Sequence, residues 1–367
     1  MKNTFGNALT LTIFGESHGP AVGATIDGLA PGIEIREDAI RSALALRRPS
    51  GAISTARREQ DEFEILSGVF EGRSTGTPFT VIVRNADTHS SDYLRGIARP
   101  GHADLSAHYK YHGFEDYRGG GHFSGRLTAA LTAVCAPLTE ALGKHGIRVG
   151  THISSLAGIY DRPFGDTEAD FETLSSLPFP VLDPDAAEAM KARIREAAEA
   201  GDSVGGVLET VVTGVPAGLG EPFFDSVESE LAHAMFSIPS VKGVEFGAGF
   251  GFADMKGSEA NDPIRVNPQQ NSGPPFVTSS NKNGGINGGI SNGMPIMMRI
   301  AVKPTPSLGI PQESVDFLAG KNTEHPGGGR HDPAIVHRAR SAVNGLTAFV
   351  IADLLTLRFG TDWLAEG

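Results

Sequence analysis

The amino-acid sequence predicts an α/β (α+β) protein that forms a single domain over residues 1–367. Stretches rich in Val, Ile, Thr and Phe alternate with helix-like stretches along the whole chain. One strand–turn–helix pattern occurs twice, as described below. Hydrophobic residues make up 40% of the chain and charged residues 20%, so a folded protein with a sizeable core is expected rather than a disordered chain.

Seven strands are predicted where apolar or alternating runs are bounded by turn-forming residues. They cover residues 9–14, 22–26, 63–70, 79–84, 147–159, 204–215 and 297–302. Five helices are predicted from apolar periodicity and from start signals. They cover residues 39–47, 127–144, 184–200, 227–236 and 333–358, with Asp183 as a cap of the third helix and Asp225 ahead of the fourth.

A weak internal repeat predicts a pseudo-duplicated core. The pattern D-x-(I/V)-x-S-x-L-A begins at Asp38 and again at Asp225, an offset of 225 − 38 = 187 residues. Each copy follows a predicted strand that ends in a Pro/Gly turn. Two such units in the same order favour one pseudo-symmetric body over two unrelated domains.

Three segments rich in Gly, Pro, Asn and Ser are predicted as long ordered loops. They cover residues 118–125, 261–293 and 303–329. Long loops in compact domains usually carry function, so ligand chemistry is expected there.

Composition excludes several classes of protein. No apolar run approaches the roughly 20 residues of a membrane helix, so no membrane span is expected. The net charge of −12 opposes general nucleic-acid binding.

The single cysteine, Cys135, lies in an apolar stretch and predicts a buried thiol without a disulfide, as suits a reducing compartment. The start of the chain shows no export signal, so we expect a cytoplasmic location.

An arginine cluster is the one strongly basic segment. Six arginines and no lysine occur between positions 36 and 58, namely Arg36, Arg41, Arg47, Arg48, Arg57 and Arg58. The guanidinium group suits carboxylate and phosphate ligands. The same pattern also fits a solvated helix face paired with nearby carboxylates, such as Asp38 and Asp61. Both interpretations remain open from the residues alone.

The segment Gly15-Glu16-Ser17-His18-Gly19 has two interpretations. It fits the G-x-S-x-G nucleophile elbow, which makes a serine hydrolase using Ser17 the alternative function. However, a strand-like run follows it where the elbow requires a helix. His18 on a glycine-bracketed turn is an apt proton donor, because its imidazole titrates near neutral pH.

A histidine-rich stretch runs from His102 to His122. His108 and His112 are four residues apart and raise the question of a metal site, but no third ligand accompanies them, and no metal is predicted. Proton transfer or hydrogen bonding is favoured for His102.

Two glycine-rich segments precede predicted helices. Residues 116–126 carry four glycines ahead of an apolar helix, a setting that favours anion binding by main-chain N–H groups. Neither a P-loop nor a G-x-G-x-x-G motif occurs, which removes most support for the common nucleotide-binding folds. Residues 327–333 lead into the last helix, where Asp332 is predicted either to cap that helix or to belong to a ligand site.

Taken together, these segments resemble the chorismate synthase family of flavin-dependent lyases, and the match spans nearly the whole chain. The matching motifs, in order, are G-E-S-H-G at 15–19, R-P-G-H-A-D at 99–104, D-Y-R-G-G-G at 116–121, G-V-P-A-G-L-G-E-P at 214–222, K-G-V-E at 242–245, G-G-I-S at 288–291, K-P-T at 303–305 and G-R-H-D-P at 329–333. The resemblance implies a β-α-β-α sandwich with long ligand-binding loops, assembled as a homotetramer. It also implies binding of reduced FMN and of 5-enolpyruvylshikimate 3-phosphate, which is converted to chorismate and phosphate by an anti 1,4-elimination.

The resemblance implies a role for each matching residue. His18 is expected to protonate the leaving phosphate, His102 to lie at the flavin, and Asp332 to act with the flavin in removing the C6 proton. The expected cofactor-binding residues are Ser17, His122, Phe123, Ser124, Pro239, Ser240, Gly288, Lys303, Pro304, Thr305, Pro306, Ser307 and Arg330. The expected substrate-binding residues are Arg47, Arg48, Arg57, Arg58 and Arg126. NADPH is expected only if the protein reduces its own flavin or is coupled to that reduction.

Two departures from the family pattern stand out. Residues 122–126 read H-F-S-G-R where members of the family commonly have R-S-S-A-R, so an imidazole replaces a guanidinium at His122. Residues 50–53 lack the basic residue that many members carry shortly after R-R-P, and Arg57 or Arg58 is expected to compensate.

Overall fold

The computed structural model describes residues 2–48, 53–54, 61–86, 93–268, 274–328 and 332–366. Two five-stranded antiparallel sheets dominate this part of the chain. In spatial order, sheet 1 consists of β1 (Thr4–Phe5), β2 (Thr10–Gly15), β3 (Ala21–Asp27), β7 (Phe79–Arg84) and β4 (Phe63–Ser67). Sheet 2 consists of β11 (Val241–Phe246), β16 (Ile296–Val302), β10 (Gly206–Thr213), β8 (Arg148–Leu156) and β9 (Ile159–Tyr160).

Four two-stranded hairpins lie outside the sheets. They are β5 (Val69–Phe70) with β6 (Arg73–Ser74), β12 (Ile264–Val266) with β13 (Phe276–Thr278), β14 (Ile286–Asn287) with β15 (Ile290–Ser291), and β17 (Gln312–Asp316) with β18 (Lys321–His325). The α-helices are α1 (Glu37–Ala45), α2 (Asp104–Tyr111), α3 (Thr128–Lys144), α4 (Thr167–Ser176), α5 (Pro184–Glu199), α6 (Val227–Phe236), α7 (Gly257–Ala260) and α8 (Val336–Phe359).

The two halves of the chain repeat one arrangement, and the predicted pseudo-duplication is confirmed. The order β2-β3-β7-β4 in sheet 1 matches β8-β10-β16-β11 in sheet 2, strand for strand along the chain. In each half, the second strand of this order leads to a short helix, α1 or α6, and the third leads to a long helix, α3 or α8. The short helix packs on the long helix in both halves.

The long helices place the core between the sheets. Helix α3 packs on β3 and β7, helix α8 packs on β8 and β10, and the two helices pack on each other. On the opposite face of β8, Phe171 of α4 lies over Gly150, whose added Cβ would be 2.2 Å from that ring. The layers therefore run sheet, helices, sheet, helix, in agreement with the expected β-α-β-α order.

Helix α8 corrects one expectation from composition. By length and apolar composition it is sufficient to cross a membrane, although no such run was expected. However, 78% of its most apolar window is buried in the protein, as in the core helix of a globular fold. Cys135 on α3 is also fully buried, as predicted, and burial raises the pKa of its thiol.

The predicted strands and helices match the structure closely in the core. Helices α2 and α4 are absent from the prediction, and the other differences lie at helix starts and in loops. Ser226 caps α6 in place of Asp225, whereas Asp183 caps α5 as expected. Helix α8 begins at Val336, and its N-cap residue, Ile335, makes no side-chain cap, so the capping role considered for Asp332 is wrong. The expected loops at 261–293 and 303–329 contain three of the hairpins.

Candidate active site

The histidine turn, residues 15–19, connects β2 to β3 at one edge of the core. Ser17 and His18 are both buried there. The Ser17 N–H donates to the Gly121 carbonyl at 3.1 Å. This bond links the turn to the glycine-rich segment 116–126, called the glycine loop below. Asn85 fixes the same turn from β7, because its amide nitrogen donates to the carbonyls of Glu16 (3.0 Å) and Gly19 (2.8 Å).

Two adjacent glycines bring the two predicted catalytic histidines to one loop. Gly119 and Gly120 have positive φ values of 62° and 85°, a region that favours glycine. A Cβ on Gly119 would lie 2.3 Å from Cδ2 of His18, and a Cβ on Gly120 would lie 3.1 Å from Nε2 of His102. The main chain of this loop therefore contacts both imidazoles, and glycine is required because any side chain would displace them.

His102 is oriented by a carboxylate. Its Nδ1 lies 2.8 Å from Oδ1 of Asp104, and Arg99 donates to the same carboxylate through Nε (2.8 Å) and Nη2 (2.7 Å). Burial alone would raise the pKa of Asp104, but the hydrogen bonds from Arg99 and His102 hold it well below its usual range. Asp104 is therefore ionised and holds Nδ1 of His102, which leaves Nε2 at the glycine loop.

A buried ion network lies behind the histidine turn. Arg47 Nη1 donates to Asp61 at 3.0 Å, and Arg126 Nη1 donates to the other oxygen of the same carboxylate. Burial favours a raised pKa for Asp61, but the charges of Arg47 and Arg126 prevail and lower it. Arg126 also donates through Nε to Asn85 Oδ1 at 2.9 Å. The network thus links the end of α1 to the residue that holds the histidine turn.

Asp332 joins this assembly through α8. Arg338 Nη1 donates to Asp332 Oδ2 at 2.6 Å, and Arg338 Nε donates to the Arg47 carbonyl at 3.1 Å. Arg47 is thus the residue at which the ion network and the Asp332 pair meet. A set of hydrogen-bonded residues therefore runs from the histidine turn, which carries the predicted acid, His18, to the predicted base, Asp332. The two predicted residues are 314 positions apart in the sequence (332 − 18).

A cleft opens beside the glycine loop. The residues that line it include Gly120, Phe123, Pro306, Ser307 and His325. The loop of residues 303–307 is held there by Lys303, whose Nζ donates to the Gly101 carbonyl at 2.5 Å. Segments from three regions of the sequence therefore surround one cleft next to His102.

Comparisons with known proteins agree with this architecture. The family model described as chorismate synthase matches residues 9–356. The chain belongs to the chorismate synthase family. It is 46% identical to the chorismate synthase of Thermococcus gammatolerans over 356 residues, which cover 96% of this chain and 97% of that protein. It is 44% identical to the enzyme of Aeropyrum pernix over 360 residues, covering 97% and 93%. A crystal structure of chorismate synthase superposes with a TM-score of 0.77 at 30% identity, covering 99% of this chain and 96% of that one.

Membership of the chorismate synthase family makes the protein a lyase of chorismate biosynthesis in the shikimate pathway. The serine hydrolase alternative lacks structural support. A strand, β3, follows the histidine turn, so the strand–turn–helix elbow does not form. Ser17 Oγ is buried, and no hydrogen-bond partner for it occurs in the described parts of the chain.

The residues expected to bind cofactor in a chorismate synthase fall into three groups. Ser17, His122, Phe123 and Ser124 lie on or against the glycine loop, and His122 Nδ1 lies 2.8 Å from the Gly15 carbonyl. Of residues 303–307, Pro306 and Ser307 line the cleft, and the Lys303 N–H donates to the Ser240 carbonyl at 2.9 Å. Gly288 lies in the β14–β15 hairpin, which bonds to residues 216–227 instead. Arg330 lies outside the described residues.

The arginines of the cluster have different environments. Arg47 is buried in the ion network, as is Arg126 from outside the cluster, whereas Arg48 is exposed just after α1. Arg36 and Arg41 form exposed pairs with Asp38 and Glu37, as the helix-face interpretation expects. Arg57 and Arg58 lie outside the described residues.

A metal site at His108 and His112 has no structural support in the described residues, because no group of three or more His, Cys, Asp or Glu side chains there is arranged to hold an ion.

The sequence does not indicate four residues of the candidate site, which are Asn85, Arg338, His325 and, in its buried role, Asp61. Asp61 had only been considered as a partner on a solvated helix face. Arg338 lies six residues after Asp332, but Asp332 precedes α8 and Arg338 is within it, so no helical spacing in the sequence pairs them. Asn85 and His325 lie next to a strand end and on a hairpin, where no local pattern distinguishes them.

Proposed function

We propose that this enzyme converts 5-enolpyruvylshikimate 3-phosphate to chorismate and phosphate by an anti 1,4-elimination that depends on reduced FMN. In this reaction the C6–H bond and the bond from carbon to the phosphate oxygen break, and the electron pair of the C–H bond ends in the new diene. The proposal rests on family membership and on one observation: the glycine loop lies against both His18 and His102, and hydrogen bonds link the histidine turn to Asp332 through the ion network.

His18 is assigned the proton that the leaving phosphate requires. Its ring is buried at the glycine loop and packs edge-on against Tyr93, with ring centroids 5.2 Å apart. A buried donor with little rotational freedom lowers the barrier, because the proton is already placed when negative charge develops on the phosphate oxygen. Asp332 is assigned a role, together with the flavin, in removing the C6 proton. Its pairing with Arg338 favours the ionised form, which an acceptor needs.

The cleft residues fit a reduced flavin. Phe123 lines the cleft with an aromatic face, and the buried Oγ1 of Thr305, next to the cleft-lining Pro306, has no hydrogen-bond partner in the described chain. Ser17, Ser124 and Lys303–Ser307 would hold the cofactor on its two sides, with His102 at its edge. When bound, reduced FMN supplies an electron-rich ring system that takes part in the elimination without net redox change.

The substrate carries carboxylates and a phosphate, and arginines are assigned to bind them. Arg48 at the end of α1 is exposed and adjacent to the buried Arg47. Arg47 and Arg126 supply positive charge at short range while their donors hold Asp61 and main-chain carbonyls. A local group of arginines in a chain of net charge −12 favours binding of an anion at this face.

The proposal extends to assembly and location. We assign a homotetramer, and the exposed apolar side chains of Ile264, Val266 and Phe276 on the β12–β13 hairpin suit burial between subunits. Light scattering on the purified protein distinguishes a tetramer of about 154 kDa (4 × 38.5) from the monomer.

A cytoplasmic location agrees with a single cysteine that is buried and free.

The activity is tested anaerobically with the purified protein, FMN, dithionite and the substrate. We expect equimolar release of chorismate and phosphate, and no turnover with oxidised FMN. A parallel reaction with NADPH in place of dithionite decides whether the protein reduces its own flavin. Folded protein that forms no chorismate with reduced FMN contradicts the proposal.

A further inference from the structure

The first turn of α8 makes two separate attachments near the proposed site. Arg338 bridges Asp332 to the Arg47 carbonyl through two different nitrogens, at 2.6 and 3.1 Å. The carboxylate of Asp332 is 9% exposed and the Arg338 side chain 21%, so this pair is shielded from much of the solvent. A partly desolvated ion pair of this geometry holds both its charge and its direction more firmly than an exposed pair.

The neighbouring residue makes the second attachment. His337 is buried, and its Nε2 lies 2.8 Å from the hydroxyl of Ser54. Burial, together with the charges of Arg338 and Arg340, lowers the pKa of His337 to about 3. The imidazole is therefore neutral at any physiological pH, and it acts as a fixed hydrogen-bonding group rather than as an acid. The side chain of Ile53, next to Ser54, is also buried in the core.

These two attachments fix the same region from adjacent positions. Arg47 and Ser54 lie within the arginine cluster, whereas His337 and Arg338 follow the proposed proton acceptor by five and six residues. Because α8 is a long buried helix, both groups project from a rigid base. The helix therefore sets the distance between Asp332 and the end of α1.

We infer that Arg338 and His337 are positioning residues for the elimination: Arg338 holds the Asp332 carboxylate ionised and aimed, and His337 holds Ser54 in the arginine cluster. This inference rests on the proposed function. It assigns no proton transfer to either residue. Arg338 acts through Asp332 on the proton-abstraction step, and His337 acts through the arginine-bearing segment on substrate binding.

The two assignments predict different kinetic signatures. The guanidinium of Arg338 meets two acceptors at once, whereas an ammonium acts as a single point charge. Arg338→Lys should keep the positive charge but lose the fixed orientation of the Asp332 carboxylate. Arg338→Gln should lose both. We expect kcat to fall about 10-fold in the first variant and about 100-fold in the second, since small misplacement of a catalytic group costs this much. His337→Ala should raise the substrate KM about 10-fold with a smaller effect on kcat.

The pH profile of kcat separates positioning from mere stabilisation. Loss of the Arg338 charge should move the acidic limb to higher pH, because the carboxylate then protonates more readily. The charged or titratable groups that the described residues place around this pair include Arg47, Asp61, His337 and Arg340, and all of them are retained in the variant. A shifted limb in Arg338→Gln therefore reports loss of the Arg338 charge beside Asp332.

Arg340→Lys is the matched control. Arg340 is buried on the same helix, and it donates to the carbonyls of Leu174 (2.9 Å) and Leu177 (2.8 Å), away from Asp332. The control should lower thermal stability and leave the pH profile and KM of the folded protein unchanged. If Arg338→Gln behaves like this control, the positioning role is overturned.

A readout without turnover keeps the inference separate from the proposed function. Hydrogen exchange followed by mass spectrometry should show faster exchange in peptides that contain Arg47 and Ser54 when either His337 or Arg338 is replaced. His337→Gln, which retains a hydrogen-bonding group, should restore part of the protection that His337→Ala loses. Wild-type protein that forms no chorismate overturns the function alone, whereas unchanged exchange in both variants overturns the positioning.

Discussion

The imidazole of His18 is the side chain on which the proposed reaction depends most, because it is assigned the proton that the leaving phosphate requires. It is buried at 8% exposure, with Gly119 on one side and Tyr93 edge-on to its ring. His18→Gln preserves much of the shape and removes the proton donor. We expect kcat to fall by about 10²-fold or more, with an unchanged thermal midpoint.

The His18 experiment has a control in the same part of the chain. His112 is exposed and ends α2 in the left-handed region at φ 57°, which Asn also tolerates. His112→Asn should retain wild-type turnover. Comparable turnover in the two variants would remove the acid role from His18.

A second imidazole, that of His152, is expected to affect the free energy of unfolding and is assigned no role in the reaction. It is fully buried on β8, with Nδ1 2.7 Å from Asp161 and Nε2 3.0 Å from Glu209. Burial alone would lower its pKa, but the two carboxylates prevail and raise it. A raised pKa in the folded state gives stability that is present below the unfolded pKa and is lost as pH rises through the folded pKa.

Replacing His152 should therefore matter most at low pH. We expect His152→Gln to reduce the free energy of unfolding by about 1–3 kcal/mol near pH 6, and by less near pH 9. Urea titrations at pH 6, 7.5 and 9 measure this difference. A deficit that grows with increasing pH would contradict a protonated His152.

At the residue scale, the sequence identifies chemistry that sits in motifs and misses chemistry that depends on contact. His18, His102 and Asp332 are indicated by short motifs; in the structure the glycine loop lies against both histidines, and hydrogen bonds link the histidine turn to Asp332. Asn85 holds the histidine turn from a strand end 66 or 69 positions away, so nothing near it in the sequence reveals its partners.

Among the elements, the glycine loop is the one whose main chain the site depends on most. Gly119→Ala would place a methyl group 2.3 Å from the His18 ring at a φ of 62°. We expect at least about 10-fold lower kcat, because the imidazole must move to accommodate that methyl group. The backbone strain itself should cost about 1 kcal/mol of stability. Steady-state kinetics and thermal unfolding measure the two effects separately.

Gly72→Ala provides the same strain without the clash. Gly72 has a φ of 75°, and a Cβ there would meet no atom within 4 Å. This variant should lose similar stability and keep its turnover. Equal loss of turnover in both variants would show that strain, and not contact with His18, limits Gly119.

Core elements were predicted well because burial leaves a periodic signal, and edge elements were not. Strand β7 was predicted with its observed bounds, and α6 likewise. Predicted strand 63–70 is broken at Gly68, where a Cβ would lie 2.5 Å from Phe79 Cα. The hairpins within 261–293 and 303–329 have two to five residues per strand, too short for a reliable pattern.

The whole molecule is two similar halves joined at the contact between α3 and α8. Each half has its own sheet, yet each long helix covers its sheet on one side and the other helix on its opposite side. Neither half could bury its long helix alone. We therefore propose that residues 1–367 form one cooperative domain, as the sequence predicts, and that the site depends on this contact, since α3 follows Arg126 and α8 follows Asp332.

Gly345 is the position at which this joint can be tested. A Cβ there would lie 3.1 Å from the Cβ of Cys135 on α3, so the helices approach closely at this point. Gly345→Leu should force them apart at a cost of at least about 1–3 kcal/mol, in line with overpacked cores. Calorimetry should show one transition at a lower temperature, and kcat should fall as Arg126 and Asp332 separate. Gly143→Leu, on an exposed face of α3 with nothing within 4 Å of an added Cβ, should do neither. Two resolved transitions in Gly345→Leu would mean that each sheet folds with its own long helix, and the single-domain proposal would then be wrong.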